Sequence, residues 1–237
     1  MDLGSDFPFA INKQILSQLK DIIPNGTSSH RNYQGKIYES PKYKIPEISV
    51  GNLLVTNVDV REVNEEYNKD SVFIFHLPQN IYNQVVKNKE PYDINIPENQ
   101  GVVGRPVFEN YKLLLDFPNA TICISNREDF SVSNCIKIPF ENSSKGITLT
   151  IATDLGPKRF ILDTGFTYTV IDETLAPNKQ YFQTSSFSIG GKNFGTRYLI
   201  VRKIATDYFK VDGFLGMDFL RDHTVYIDFF RQMLYFK

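Results

Sequence analysis

Apolar positions along this chain fall in short runs broken by polar and glycine-bearing turns. Around "ISVGNL" (48–53) and "FSIGGK" (187–192) apolar and polar residues alternate on both sides of a glycine turn. Alternation places one set of side chains on each face of a strand, so both stretches predict β-hairpins. "GVVGRPVFENYKLLLDF" (101–117) reads as an apolar strand, a glycine bend, a short helical turn and a second strand ending in Asp-Phe. One stretch, "ILSQLKDII" (15–23), reads as helix, and a Tyr/Pro/Lys-rich strand region follows it through residue 47.

The pattern occurs twice. "GFLGMDFLRDHTVYIDF" (213–229) aligns with 101–117 over seventeen residues without a gap. Gly101/Gly213, Gly104/Gly216, Asp116/Asp228 and Phe117/Phe229 are identical pairs. Upstream, "ISVGNL" matches "FSIGGK", and "DLGSDFPFAINKQIL" (2–16) matches "DTGFTYTVIDETL" (163–175) if the first copy carries two extra residues. Three matches in one order argue for duplication. They divide the chain into a first lobe at 1–125, a polar connector at 126–145 and a second lobe at 146–237. The first lobe is longer, partly through an Asn/Glu/Lys-rich insertion at 62–100.

Composition sharpens this picture. Nineteen Phe and thirteen Tyr with no Trp favour strands over helices and point to an all-β chain. The net charge of −1, without a charge block, excludes the electrostatic signature of a nucleic-acid binder. No apolar run has the length of a membrane span. Cys123 and Cys135 are too few for a disulfide framework and allow one bridge or two free thiols. The sequons at Asn25, Asn119 and Asn142 matter only in an exported, glycosylated chain. His30, His76 and His223 lack metal-ligand spacing, so no metal and no cofactor are expected.

The chemistry centres on "FILDTGFTYTVID" (160–172). An apolar strand carries Asp163 into a partly desolvated place. Gly165 lets the backbone turn and approach a facing chain, and Thr164 offers a hydroxyl for bonding across to that chain. One such carboxylate achieves little. Two that face each other cannot both ionise and share a proton. The ionised one then takes a proton from a water between them, while the protonated one polarises an amide carbonyl. The repeat nominates Asp2, in Asp2-Leu3-Gly4-Ser5, as the second carboxylate. Gly104 and Gly216 belong to the apolar-apolar-Gly elements expected to pack behind the two loops. Asp116 and Asp228 read as structural groups at strand ends, and Asp218 as a support for the "GMDFL" turn.

These elements resemble the aspartic proteases of the retropepsin/pepsin type. "FILDTGFT" matches that family's apolar-apolar-D-T-G loop, with Phe166 in place of a small residue, and "DGFLGMDFL" matches its later apolar-apolar-Gly element. The likeness is to bacterial retropepsin-like proteins, in which "LGMDFL…IDF" is a common form. It covers lobe two and, through the repeat, the outer parts of lobe one. It implies a closed, barrel-like all-β acid-protease fold: two pseudo-symmetric ψ-loop lobes, few short helices and an active-site cleft between them. It further implies an endopeptidase, active as a monomer on peptides or proteins, with Asp163 and Asp2 as the catalytic pair.

Three features depart from the family's pattern or extend it. Leu3 stands where the family has a hydroxyl residue, leaving Ser5 as the nearest replacement. Only Met1 precedes Asp2, so this loop is expected to be less firmly held than its counterpart, and a segment upstream of Met1 would supply the strand and any export signal to the periplasm or beyond. The single flap is expected near "NYQGKIY" (32–38), where Gly35 permits a tight turn and Tyr33 could close over substrate; an ordinary surface hairpin is the competing reading. Two alternatives to a single-chain protease remain: a homodimer pairing Asp163 with its copy, and a fold kept as a peptide-binding or structural module.

Overall fold

The computed structural model describes residues 1–64, 66, 67, 101–126 and 130–237. His76 and nearly all of the insertion expected at 62–100 lie outside the described residues.

Among the described residues the chain is mostly β, with few short helices, and its strands form three sheets. The first has the order Ile23–Arg31, Ile37–Val50, Leu53–Glu62, Phe9–Ile11, Gly101–Val103. A nine-stranded second sheet is built from residues 141–215. The third draws on both halves: Thr121–Ser125, Lys112–Asp116, Thr224–Asp228, Met233–Phe236 and Ile136–Pro139 lie side by side. The stretch read as a polar connector therefore carries two strands, Ile136–Pro139 in the shared sheet and Glu141–Ser143 in the second.

The shared sheet makes the repeat physical. Lys112–Asp116 pairs antiparallel with Thr224–Asp228, and Leu114 lies opposite Tyr226. Those two residues are equivalent positions of the repeat, so a local two-fold relation passes between them. Leu113, Leu115, Val225 and Ile227 face the core and are almost wholly buried, as period-two alternation requires.

In each half one strand enters beside the aspartate loop, and in the second half it is threaded between two strands that precede it in the chain. Gly213–Leu215 runs parallel to Gly156–Leu162 on one side and antiparallel to Val170–Asp172 on the other. In the first half, Gly101–Val103 is antiparallel to Phe9–Ile11, while Gly104 forms a parallel bridge with Asp2. This placement delivers the end of one strand to the loop that carries each aspartate.

Both predicted hairpin turns are present. Gly51 (φ 59°) turns Ile37–Val50 into Leu53–Glu62, and Gly190 and Gly191 turn Ser188–Ile189 into Lys192–Asn193. "ILSQLKDII" is not a helix. The helix is Lys13–Leu16, capped by the Asn12 side chain on Gln14 N–H. Asp21 is left-handed (φ 61°) and Ile23 already lies in a strand. The apolar spacing there is short, and the strand that begins at Ile23 claims its C-terminal end. Cys123 and Cys135 are free thiols.

Candidate active site

Phe160, Ile161 and Leu162 are fully buried in the second sheet and deliver Asp163 to the centre of the molecule. There the Asp163 N–H donates to Leu215 O at 3.0 Å. At the equivalent place in the first half, Asp2 N–H donates to Val103 O at 2.9 Å. Within each loop the carboxylate accepts from the glycine two residues on: Gly4 N–H to Asp2 Oδ1 at 2.9 Å, Gly165 N–H to Asp163 Oδ1 at 2.7 Å. Ser5 N–H adds a second bond to Asp2 Oδ1 at 3.2 Å. The expectation that Asp2 would be weakly held is therefore corrected. Its backbone N–H is held by Val103 O and its carboxylate by the N–H groups of its own loop.

The two carboxyl groups face each other across the glycines. A Cβ on Gly4 would sit 2.2 Å from Asp163 Oδ2, and one on Gly165 would sit 3.0 Å from the Asp2 carboxyl. Only glycine lets each loop come this close to the opposite carboxylate. Asp163 is 7% exposed. Burial first, and then the Asp2 carboxyl within hydrogen-bonding reach, hold its carboxyl well above the usual carboxylate range. Two carboxyls this close can share one proton, the state in which a water between them is activated.

Thr164 ties the loops together. Its hydroxyl accepts from Leu3 N–H at 2.9 Å and donates to Met1 O at 3.1 Å. Leu3 returns nothing from its side chain, which is fully buried in the main apolar cluster. Ser5 does not substitute for the missing hydroxyl. Its Oγ exchanges bonds with Phe7 O and N–H inside its own loop. Gly104 and Gly216 both lie behind the loops, where a Cβ would strike Phe7 O and the Tyr168 carbonyl respectively.

Several contributors carried no sequence signature. Thr169, at the exit of the Asp163 loop, donates from N and Oγ to half-buried Asp218 Oδ1, both at 2.7 Å, and accepts from Gly216 N–H at 3.1 Å. Asp218 was expected to support its turn, and it does so through Thr169. Asp116 takes bonds from Asn119 and Thr224, and buried Asp228 from Arg231, which are structural uses. Phe166 stacks on Phe214 with ring centroids 4.8 Å apart and forms one wall of the cleft. Its size, unusual at that loop position, was visible in the sequence; its partner was not.

The Asn32–Lys36 turn joins Ile23–Arg31 to Ile37–Val50 and reaches the second half of the chain. Asn32 Oδ1 accepts from Gln34 and Lys36 N–H, and Gly35 is left-handed (φ 91°). Tyr33 meets Phe166 edge to face at 5.4 Å, and Tyr33 O accepts from Ala205 N–H at 2.8 Å. Its phenol is pushed up to about 12 by burial. Under this turn lies a cavity of about 110 Å³ lined by both aspartates, Phe166 and Tyr33. That space is large enough to admit water and small beside the ~300–1,000 Å³ of typical ligand pockets. No group of three or more His, Cys, Asp or Glu among the described residues could hold a metal ion, and no helix among them is long and apolar enough to cross a membrane.

Comparison of the whole chain with solved structures gives the class. An aspartic proteinase from Irpex lacteus superposes with a TM-score of 0.55 at 13% identity, covering 99% of this chain and 88% of that one. Basic 7S globulin from soybean superposes with a TM-score of 0.58 at 10% identity, covering 100% and 86%. The chain has the pepsin-like aspartic proteinase fold. No family model matches the sequence, and no curated protein sequence does. One of the two neighbours is named as a proteinase and the other as a globulin, so function has to be argued from the site.

Proposed function

We propose that this protein is an aspartic endopeptidase that hydrolyses peptide bonds with Asp163 and Asp2 of one chain. One observation carries the reading: a buried carboxyl, Asp163, and a half-buried one, Asp2, face each other from equivalent loops, each accepting from its own glycine N–H and each approached by the glycine of the other loop. In this mechanism Asp2 removes a proton from the bridging water as it attacks the carbonyl carbon. Asp163 donates its proton to the carbonyl oxygen; Asp2 then passes the proton it took from the water to the amide nitrogen, the C–N bond breaks as the carbonyl re-forms, and Asp163 recovers a proton from the intermediate's hydroxyl. Asp2 supplies the second carboxyl in the same chain, which favours a monomer over a dimer built through Asp163. The division at 1–125, 126–145 and 146–237, a retropepsin-like ancestry and a flap at Tyr33 and Gly35 belong to the same proposal.

The test is turnover of a peptide library from about pH 3 to pH 7 by the purified protein. Asp163→Asn and Asp2→Asn should each lower kcat/KM by at least about 10²-fold, the scale of general acid–base catalysis. A folded native protein that cleaves no library member across that range refutes the proposal. A second reading, a peptide-binding module without turnover, is favoured by the missing hydroxyl at Leu3 and the narrow cleft. It predicts peptide binding that Asp163→Asn leaves unaltered.

A further inference from the structure

We infer that the cleft carries a subsite for an acidic side chain of the substrate, formed by Arg31 and Lys145 around the ring of Tyr208; this rests on the endopeptidase reading above. All three residues line the same cavity as Asp2 and Asp163. Arg31 ends the strand that leads into the Asn32–Lys36 turn, and Lys145 lies in the turn between Glu141–Ser143 and Gly146–Thr153. Tyr208 lies on the helix Thr206–Phe209. Three separate elements thus converge at one end of the cleft.

Their chemistry there is unbalanced. The Arg31 guanidinium lies 4.9 Å from the Tyr208 ring centroid and the Lys145 ammonium 3.4 Å from it. A ring face attracts a cation, but two cations on one ring repel each other. Neither belongs to an ion pair among the described residues, whose pairs are Lys44 with Asp59, Arg105 with Glu109, Arg159 with Glu141 and Arg231 with Asp228. Arg31 also donates to Gly35 O at 3.0 Å, which fixes the guanidinium against the turn. The third cation of the cavity, Arg61, is differently placed, with Asp6 and Asp2 as its opposing charges. The carboxylates of the cavity are therefore the aspartate pair itself and Asp6, and the Arg31–Lys145 end has none. A carboxylate entering with an extended peptide would meet a forked donor and an ammonium together, the arrangement that binds such groups most strongly.

The experiment uses peptide pools that carry either Glu or Gln at one fixed position, each position in turn, at about pH 5, where a Glu side chain is ionised. At one position near the scissile bond the native protein should prefer Glu by about tenfold or more in kcat/KM, the scale of a hydrogen bond to a charged group. In the Arg31→Gln/Lys145→Gln protein the preference should fall below about twofold, chiefly through KM. Equal cleavage of Glu and Gln pools by the native protein, or a preference that survives both substitutions, overturns the subsite and leaves the protease reading standing. If no pool is cleaved, the protease reading fails, and binding decides the subsite. Fluorescein-labelled Glu pools should then bind the Asp163→Asn protein about fivefold tighter than Gln pools or better, a margin lost in high salt and in the Asp163→Asn/Arg31→Gln/Lys145→Gln protein. Equal binding of the two pools overturns the subsite on its own.

Discussion

At the scale of single residues, the two aspartate loops are alike in backbone and unlike in side chain. Thr164 makes both described cross-loop side-chain bonds, to Leu3 N–H and Met1 O, while Leu3 spends its side chain on the core. A reciprocal pair of hydroxyls would lose half its bonding to one substitution. Here one substitution removes it all. Thr164→Val keeps the shape and leaves a part-buried N–H and carbonyl unpaired, so it should cost ~1–3 kcal/mol in denaturant unfolding. Thr164→Ser should recover most of that loss. If Val and Ser unfold alike, the tie between the loops contributes nothing. The asymmetry could be read from the sequence, since Leu3 stands opposite Thr164 in the repeat. What secures Asp2 could not be read. Its partner is a carbonyl at Val103, about a hundred residues away, and a backbone atom has no residue type to betray it.

At the scale of elements, the Asn32–Lys36 turn meets the far side of the cleft through, among other contacts, a backbone hydrogen bond and the Tyr33 ring. Tyr33 packs in a small apolar cluster otherwise made of second-half residues such as Val170, Ile200 and Phe214. A backbone bond from Ala205 N–H to Tyr33 O helps to hold the turn down. Ala205 has φ −74°, which proline can adopt, and proline has no N–H to give. Ala205→Pro should therefore free the turn without disturbing the aspartates. A net hydrogen bond of ~1 kcal/mol corresponds to about a fivefold larger open population. Amide exchange at Gln34–Lys36 and peptide association should both quicken by about that factor. Unchanged exchange in a folded Ala205→Pro protein would show that the turn's other contacts close the cleft without this bond. The hairpin itself was legible from Gly35 and the flanking strands; the shared sheet was not, because Lys112–Asp116 pairs with its own repeat equivalent, Thr224–Asp228, across more than a hundred residues of chain. The closed position was not, because it depends on Ala205 and Phe166, whose sequence neighbourhoods say nothing about residue 33. The misread helix has the same origin: apolar spacing at 15–23 is compatible with a turn, and pairing of Ile23 with Lys44 decided it.

At the scale of the whole molecule, two buried groups set opposing limits on the pH range of the fold. The Asp163 carboxyl is held above its usual range by burial and by Asp2. The folded chain therefore binds that proton more tightly than the unfolded chain, so its contribution to stability is full below about pH 4 and is lost as pH rises through the folded value. His30 acts in the other direction. Burial first, and then Arg61, lower its imidazole to about 4. Packed against the rings of Tyr38 and Tyr67, it is neutral in the fold at neutral pH. The unfolded chain takes up a proton below about 6.5, so this contribution is full above that value and lost as pH falls toward 4, by at most about 3 kcal/mol. His30→Phe keeps a ring between the two tyrosines and removes the titration. It should flatten the decline of unfolding free energy between pH 6.5 and 4, whereas Asp163→Asn should raise stability most at neutral pH and progressively less toward pH 4. Urea unfolding of the native and the two variant proteins across pH 3–8 separates the two effects. A His30→Phe protein that loses stability as steeply as the native chain on the acid side would remove His30 from the account. If both effects hold, the aspartate pair keeps its proton most readily where His30 begins to weaken the fold. The useful range of this site is then bounded on the acid side by folding and on the neutral side by the loss of that proton.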